Sequence, residues 1–262
     1  MCALAAGLAY SDHQDFSQEA FPPLVLVHGA GGTRLHWPPQ IRRMRAGFRV
    51  LAPDLPGHGE SSGVGEETIA GYAHRLWDWA AALALPPFVL AGHSMGGAIA
   101  LHTALERPGG LAGLILIGTG ARLRVHPELL EASRDPGQFE AAIQQLVDWS
   151  YAEDAPAELV RLARERMAEI EPGVLHRDLL ACDRFNLIER LSEIQVPTLV
   201  LCGEEDRLTP AKYSHFLAEH IPGAELRLIP RAGHMVALEQ SEVVAKAIRR
   251  FMAHLGQTSP VS

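Results

Sequence analysis

The chain has 262 residues, of which 47% are hydrophobic and 21% charged, a balance that suits one large folded core and excludes extensive disorder. With 31 acidic against 23 basic side chains, the formal net charge of -8 offers no electrostatic footprint for nucleic acid or an anionic membrane surface. Three scattered cysteines, without a C-x-x-C pair, point to neither a disulfide framework nor a zinc site, and the cytoplasm is the expected compartment.

The first ten residues are apolar but lack a basic leading region, so they are expected to form an edge strand rather than a signal peptide. Short aliphatic runs follow at 24–27, 48–51, 88–90, 114–117, 196–201 and 226–229, each of them expected to be a buried strand. Helical periodicity lies between most of them, at 68–83, 98–105, 212–220 and 241–255. This alternation predicts an α/β fold with a mostly parallel central sheet flanked by helices. A scan for membrane spans pauses at 85–101, but Pro86, Pro87, His93, Ser94 and several glycines break that stretch into strand, turn and helix. No membrane partner is expected.

The alternation fails from 121 to 190, where helical segments occur without a good strand. Pro127, Pro136, Pro156 and Pro172 suit the first turns of four short helices, so 121–190 is expected to be a helical insertion in a core formed by 1–120 and 191–262. The residues from 256 onward are small and polar and are expected to fray.

Chemistry enters at Gly92-His93-Ser94-Met95-Gly96, which follows a predicted strand and opens a predicted helix. A serine raised on such a turn needs small residues two before and two after it, and Gly92 and Gly96 meet that demand. Its hydroxyl also needs a base, and the base needs a carboxylate to fix its tautomer. His234 leaves the predicted strand at 226–229, and Glu204, Glu205 and Asp206 leave the one at 196–201. The carboxyl ends of parallel strands share one edge, so these groups can converge there. Asp206 is preferred as the acid. His28-Gly29-Ala30-Gly31-Gly32 follows the first core strand and can offer Ala30 N–H, with Met95 N–H, to a developing oxyanion. No Walker lysine pattern or H-E-x-x-H occurs. His58 and His93 are read as structural, the first bonded locally and the second turned away from the nucleophile.

Together with Pro53-Asp54-Leu55-Pro56-Gly57-His58-Gly59-Glu60-Ser61, Pro197-Thr198-Leu199-Val200 and Gly203 through Asp206, these motifs resemble the α/β-hydrolase superfamily in its capped, lipase-like esterase branch. The resemblance implies an α/β-hydrolase fold with a helical cap and a triad of Ser94, Asp206 and His234, with Asp206 at the acid position. It also implies short antiparallel strands before the first core strand. Serine at the elbow separates the chain from relatives that carry aspartate there.

The expected activity is hydrolysis of a small-molecule carboxylic ester through an acyl-enzyme, without metal or organic cofactor. Gly29, Leu123, Phe139, Trp149, Leu208 and Met235 are expected to line the substrate pocket, without a basic anchor. Two rival readings use the same residues: a carbon–carbon bond or enol-lactone hydrolase, and a receptor that keeps the hydrolase fold.

Overall fold

The computed structural model describes residues 2–13, 21–44 and 47–258. Its centre is an eight-stranded sheet: β1 (Cys2–Ala5), β2 (Leu8–His13), β3 (Leu24–Val27), β4 (Val50–Pro53), β5 (Phe88–His93), β6 (Leu111–Ile117), β7 (Thr198–Gly203) and β8 (Glu225–Ile229). The spatial order is β1-β2-β4-β3-β5-β6-β7-β8, antiparallel through the β1–β2 and β2–β4 pairs and parallel from β4 onward. The apolar start thus forms a short hairpin on one edge.

Side-chain alternation explains why the central strands are apolar at every position. In β3, Val25 and Val27 enter the hydrophobic cluster on one face, and Leu24 and Leu26 enter the cluster on the other. β6 repeats the pattern with Leu114 and Leu116 against Ile115 and Ile117. A strand buried on both faces reads as a continuous aliphatic run.

The first face is covered by α2 (Ile69–Ala82), α3 (Met95–Glu106) and α8 (Ala211–His220), the second by α1 (Pro39–Arg42), α9 (Val236–Glu239) and α10 (Ser241–Thr258). Thr68 caps α2 by accepting the Gly71 N–H at 3.1 Å, and the helix then buries Ile69, Tyr72, Ala73, Leu76, Trp79 and Ala80 at helical spacing. On α10 the stripe is Val244, Ile248, Phe251, Met252 and Leu255. Each such apolar side chain contributes about 1.5–3 kcal/mol by leaving water. α10 runs past Gly256, the expected point of fraying, to Thr258; the rest of that tail, 259–262, and Met1 of the expected edge strand lie outside the described residues.

Four helices separate β6 from β7: α4 (Pro127–Arg134), α5 (Phe139–Ser150), α6 (Ala157–Ala168) and α7 (Pro172–Arg184). Pro127 and Pro172 occupy first turns, Pro156 sits at the N-cap of α6, and α5 starts three residues beyond Pro136. Leu129, Ile143, Leu146, Val147, Leu175 and Leu179 form a separate small core there. α6 fully buries no residue, and its Leu162 is exposed.

Because β3, β5, β6, β7 and β8 are parallel, the His28 loop, the Ser94 turn, the helical insertion, the Asp206 loop and the His234 loop all emerge at one edge. Strand order reverses between β3 and β5, where open α/β sheets leave a crevice.

Candidate active site

Ser94 sits between the end of β5 and the first turn of α3 with φ 55° and ψ -118°, a backbone conformation that is costly for a residue with a side chain. Its neighbours hold it there. Ser94 N–H donates to Ile117 O at 2.9 Å, and Ser94 O accepts from Thr119 Oγ1 at 2.8 Å and Gly97 N–H at 2.9 Å. A Cβ on Gly92 would collide with the Gly96 carbonyl, and one on Gly96 would collide with the carbonyls of Val27 and His28. The two glycines therefore let strand, turn and helix pass within backbone contact.

Asp206 and His234 meet as the loops after β7 and β8 converge. His234 Nδ1 lies 2.9 Å from Asp206 Oδ2, and both residues are buried. Asp206 accepts Leu208 N–H at 2.9 Å and Thr209 N–H at 2.8 Å on Oδ1, and Thr209 Oγ1 at 2.8 Å on Oδ2. Burial raises its pKa, but His234 and the Thr209 hydrogen bonds outweigh that effect and hold it below the ordinary carboxylate value. Glu204 and Glu205 are exposed, so only Asp206 of the three carboxylates faces the imidazole.

The His234 loop is gripped on three sides. His234 O lies 2.9 Å from His93 Nε2, Met235 N–H donates to Ser150 O at 3.0 Å, and Gly233 N–H donates to Glu239 Oε1 at 3.0 Å. The other Glu239 oxygen accepts Ala152 N–H, just beyond α5, at 2.9 Å. The His93 ring also packs 4.7 Å from that of His234, a contact that the sequence expectation did not include. Burial, followed by the adjacent His234, pushes the His93 pKa down to about 3, which keeps it neutral beside that ring.

Ser94, His234, Gly29 and Ala30 line one cavity of about 600 Å³ beneath the insertion. No hydrogen bond joins Ser94 Oγ to His234 among the described residues. Such contacts commonly tighten only around a substrate. Ala30 N–H has no protein acceptor among the described residues. Met95 N–H, at the first position of α3, has no partner within the helix, while the Met95 side chain is buried in the core.

Leu123, Trp149, Leu208 and Met235 line the same cavity. Phe139 does not: at the first position of α5 it packs into the insertion's own core. The expectation of no basic anchor is also corrected, because Arg124, His126 and Arg207 belong to the wall. The Arg207 guanidinium donates to Tyr151 O at 2.9 Å and to Asp148 O, and is thus partly engaged. His58 bonds locally to Pro56 O at 3.0 Å, but its Nε2 also reaches Asp178 of α7 at 2.8 Å, a contact across 120 residues that no local reading provides.

The chain belongs to the alpha/beta hydrolase family, whose pattern matches residues 24–247. Within that family it is an esterase-like hydrolase. It is 33% identical to a protein of Rhizobium rhizogenes that carries the name carbamate hydrolase RutD, over 87% of this chain and 92% of that one. It is 29% identical to the pimeloyl-[acyl-carrier protein] methyl ester esterase of Neisseria meningitidis, over 89% and 94%. The solved structure of a thermophilic esterase superposes with a TM-score of 0.82 at 34% identity, covering 98% of each chain.

Proposed function

We propose that the protein is a serine carboxylesterase acting on small-molecule esters, with Ser94 as nucleophile, His234 as general base and Asp206 as the carboxylate that orients it. The observation that carries this reading is the buried Asp206–His234 contact at 2.9 Å, with His234 and Ser94, on its strained turn, lining one cavity. Nδ1 faces a carboxylate and so carries the proton, which leaves Nε2 free to accept the Ser94 proton. Attack forms a tetrahedral intermediate whose oxyanion is received by Ala30 and Met95 N–H. His234 then protonates the leaving alcohol, and the acyl-enzyme is released when His234 activates water. This cycle runs on side chains and backbone alone. The four-helix insertion acts as a cap over the cavity, and the reducing cytoplasm is the proposed compartment, consistent with three free cysteines. Among the described residues, no helix is long and apolar enough to cross a membrane.

A carbamate is the second candidate, because the 33% identical relative carries that activity in its name and the same triad can attack a carbamoyl carbon. The test is turnover of p-nitrophenyl acetate, p-nitrophenyl butyrate and a p-nitrophenyl carbamate by wild type and Ser94→Ala. Ester turnover should lead the panel, and Ser94→Ala should lower it at least about a thousandfold while the fold is kept. Undiminished activity in that variant would refute the assignment, and faster carbamate turnover would favour the second candidate.

A further inference from the structure

The side chain of Asp178, in the middle of α7, is fully buried and carries hydrogen bonds from three separate parts of the core. Oδ2 accepts Gly31 N–H at 2.7 Å and lies 2.8 Å from His58 Nε2, and Oδ1 accepts the Tyr72 hydroxyl. Gly31 directly follows Ala30, and its φ of 62° lies in the left-handed region, so the loop turns sharply at the residue that Asp178 holds. On the core side of the same turn, His28 Nδ1 donates to Gly29 O at 2.8 Å, and His28 Nε2 accepts Leu55 N–H at 3.0 Å. Ala30 thus lies between two fixed points, one provided by the core and the other by the insertion.

We propose that Asp178 is a positioning residue for the oxyanion site: through Gly31 N–H it fixes the loop so that Ala30 N–H faces the reacting carbonyl, and His58 neutralises its charge. The inference rests on the triad reading above. A bare carboxylate beside the oxyanion site would oppose the negative charge that forms there. His58 removes that penalty, because its Nδ1 faces the Pro56 carbonyl and must donate, while its Nε2 faces the carboxylate. With a proton on each nitrogen, the imidazolium and the carboxylate form a neutral pair. Tyr72 satisfies the remaining oxygen without touching the loop.

The experiment compares wild type with Asp178→Asn, Tyr72→Phe and Ser94→Ala. For each, kcat and KM for p-nitrophenyl butyrate, affinity for a trifluoromethyl ketone that forms a tetrahedral adduct, and thermal midpoint are measured. An asparagine with its oxygen toward Gly31 and its NH2 toward Tyr72 still accepts, but it carries no charge to pair with His58, so its hold on the Gly31 N–H is weaker than the carboxylate's. Asp178→Asn should therefore lower kcat by about ten- to a hundredfold and weaken the ketone in parallel, with KM within about threefold of wild type. Tyr72→Phe should lower the thermal midpoint and leave kcat within about threefold. If Asp178→Asn lowers only the midpoint, the residue is structural and the proposal is overturned. Should that variant not fold, Asp178→Glu, which keeps the charge but displaces it from Gly31, must show the same loss of kcat and ketone affinity, and wild-type values there overturn the proposal. An active Ser94→Ala would instead remove the triad reading, so the two failures are distinguishable.

Discussion

Ser94, the proposed nucleophile, sits on an unfavourable backbone, and the strain is held by a hydrogen bond that it donates to Ile117 O and by those that it accepts from Thr119 and Gly97. Asp206 is held in a similar way, since hydrogen bonds from Leu208 and Thr209 aim it toward His234, the proposed base. Asp206→Asn should reverse the tautomer preference of His234 and lower kcat by about a thousand- to ten-thousandfold. Glu204→Gln and Glu205→Gln should leave kcat near wild type, as both side chains are exposed; steady-state kinetics on the three variants checks this. Glycine spacing and loop position made Ser94 and His234 legible in the sequence. Thr209, His93 and Glu239 were not, because each acts through a contact that exists only when distant loops meet. The D-x-x-T spacing of Asp206 and Thr209 was the one local signal available, as a carboxylate that accepts backbone N–H groups two and three residues on is a common turn device.

Among the elements, the strands were readable because burial on both faces makes β3, β5, β6 and β7 almost wholly apolar. Boundaries moved where backbone chemistry overrode pattern. Pro197 cannot donate to a ladder, so β7 begins at Thr198 while the Pro197 carbonyl accepts Leu114 N–H at 2.8 Å. The start of α3 was hidden by Gly96 and Gly97, poor helix formers that are there for close packing. α10 illustrates a purely structural element: Ile248→Ala should cost about 2–5 kcal/mol of stability by denaturant titration, with kcat unchanged. The pair between His58 and Asp178 ties α7 to the core and gives this link a pH dependence. Burial lowers the His58 pKa, but Asp178, the Pro56 carbonyl and Asp54 together raise it above 6.5; Tyr72 and a neutral His28 also face the site. A raised folded-state pKa stabilises fully below about 6.5 and loses that contribution as pH rises through the raised value. The thermal midpoint of wild type should therefore exceed that of His58→Gln most at about pH 6, with the gap narrowing toward alkaline pH. A gap that widened with pH would contradict the protonated pair.

For the molecule as a whole, a parallel sheet gathers at one edge four loops that are far apart in the chain, and the helical insertion closes over them. The sequence periodicity was enough to place the insertion between β6 and β7, but not to say which of its residues reach the site. Phe139 turned into the insertion's own core, whereas Met167 of α6 lines the cavity, because a helix face is chosen by packing partners that no local pattern names. A cavity of about 600 Å³ with Leu129, Leu146, Met167 and Leu179 in its wall should accept acyl chains longer than acetyl. Replacing Leu146 with Trp should lower kcat/KM for p-nitrophenyl octanoate more than for the acetate ester; equal losses would place the acyl chain elsewhere. The central claim, covalent catalysis at Ser94, is tested most directly by intact and peptide mass spectrometry after reaction with a fluorophosphonate, a reagent that phosphonylates activated serines. One adduct per chain on the peptide containing Ser94, absent in Ser94→Ala and much slower in His234→Ala, is the predicted result. Full ester hydrolysis by a protein that carries no adduct, or carries it on another residue, would contradict the account.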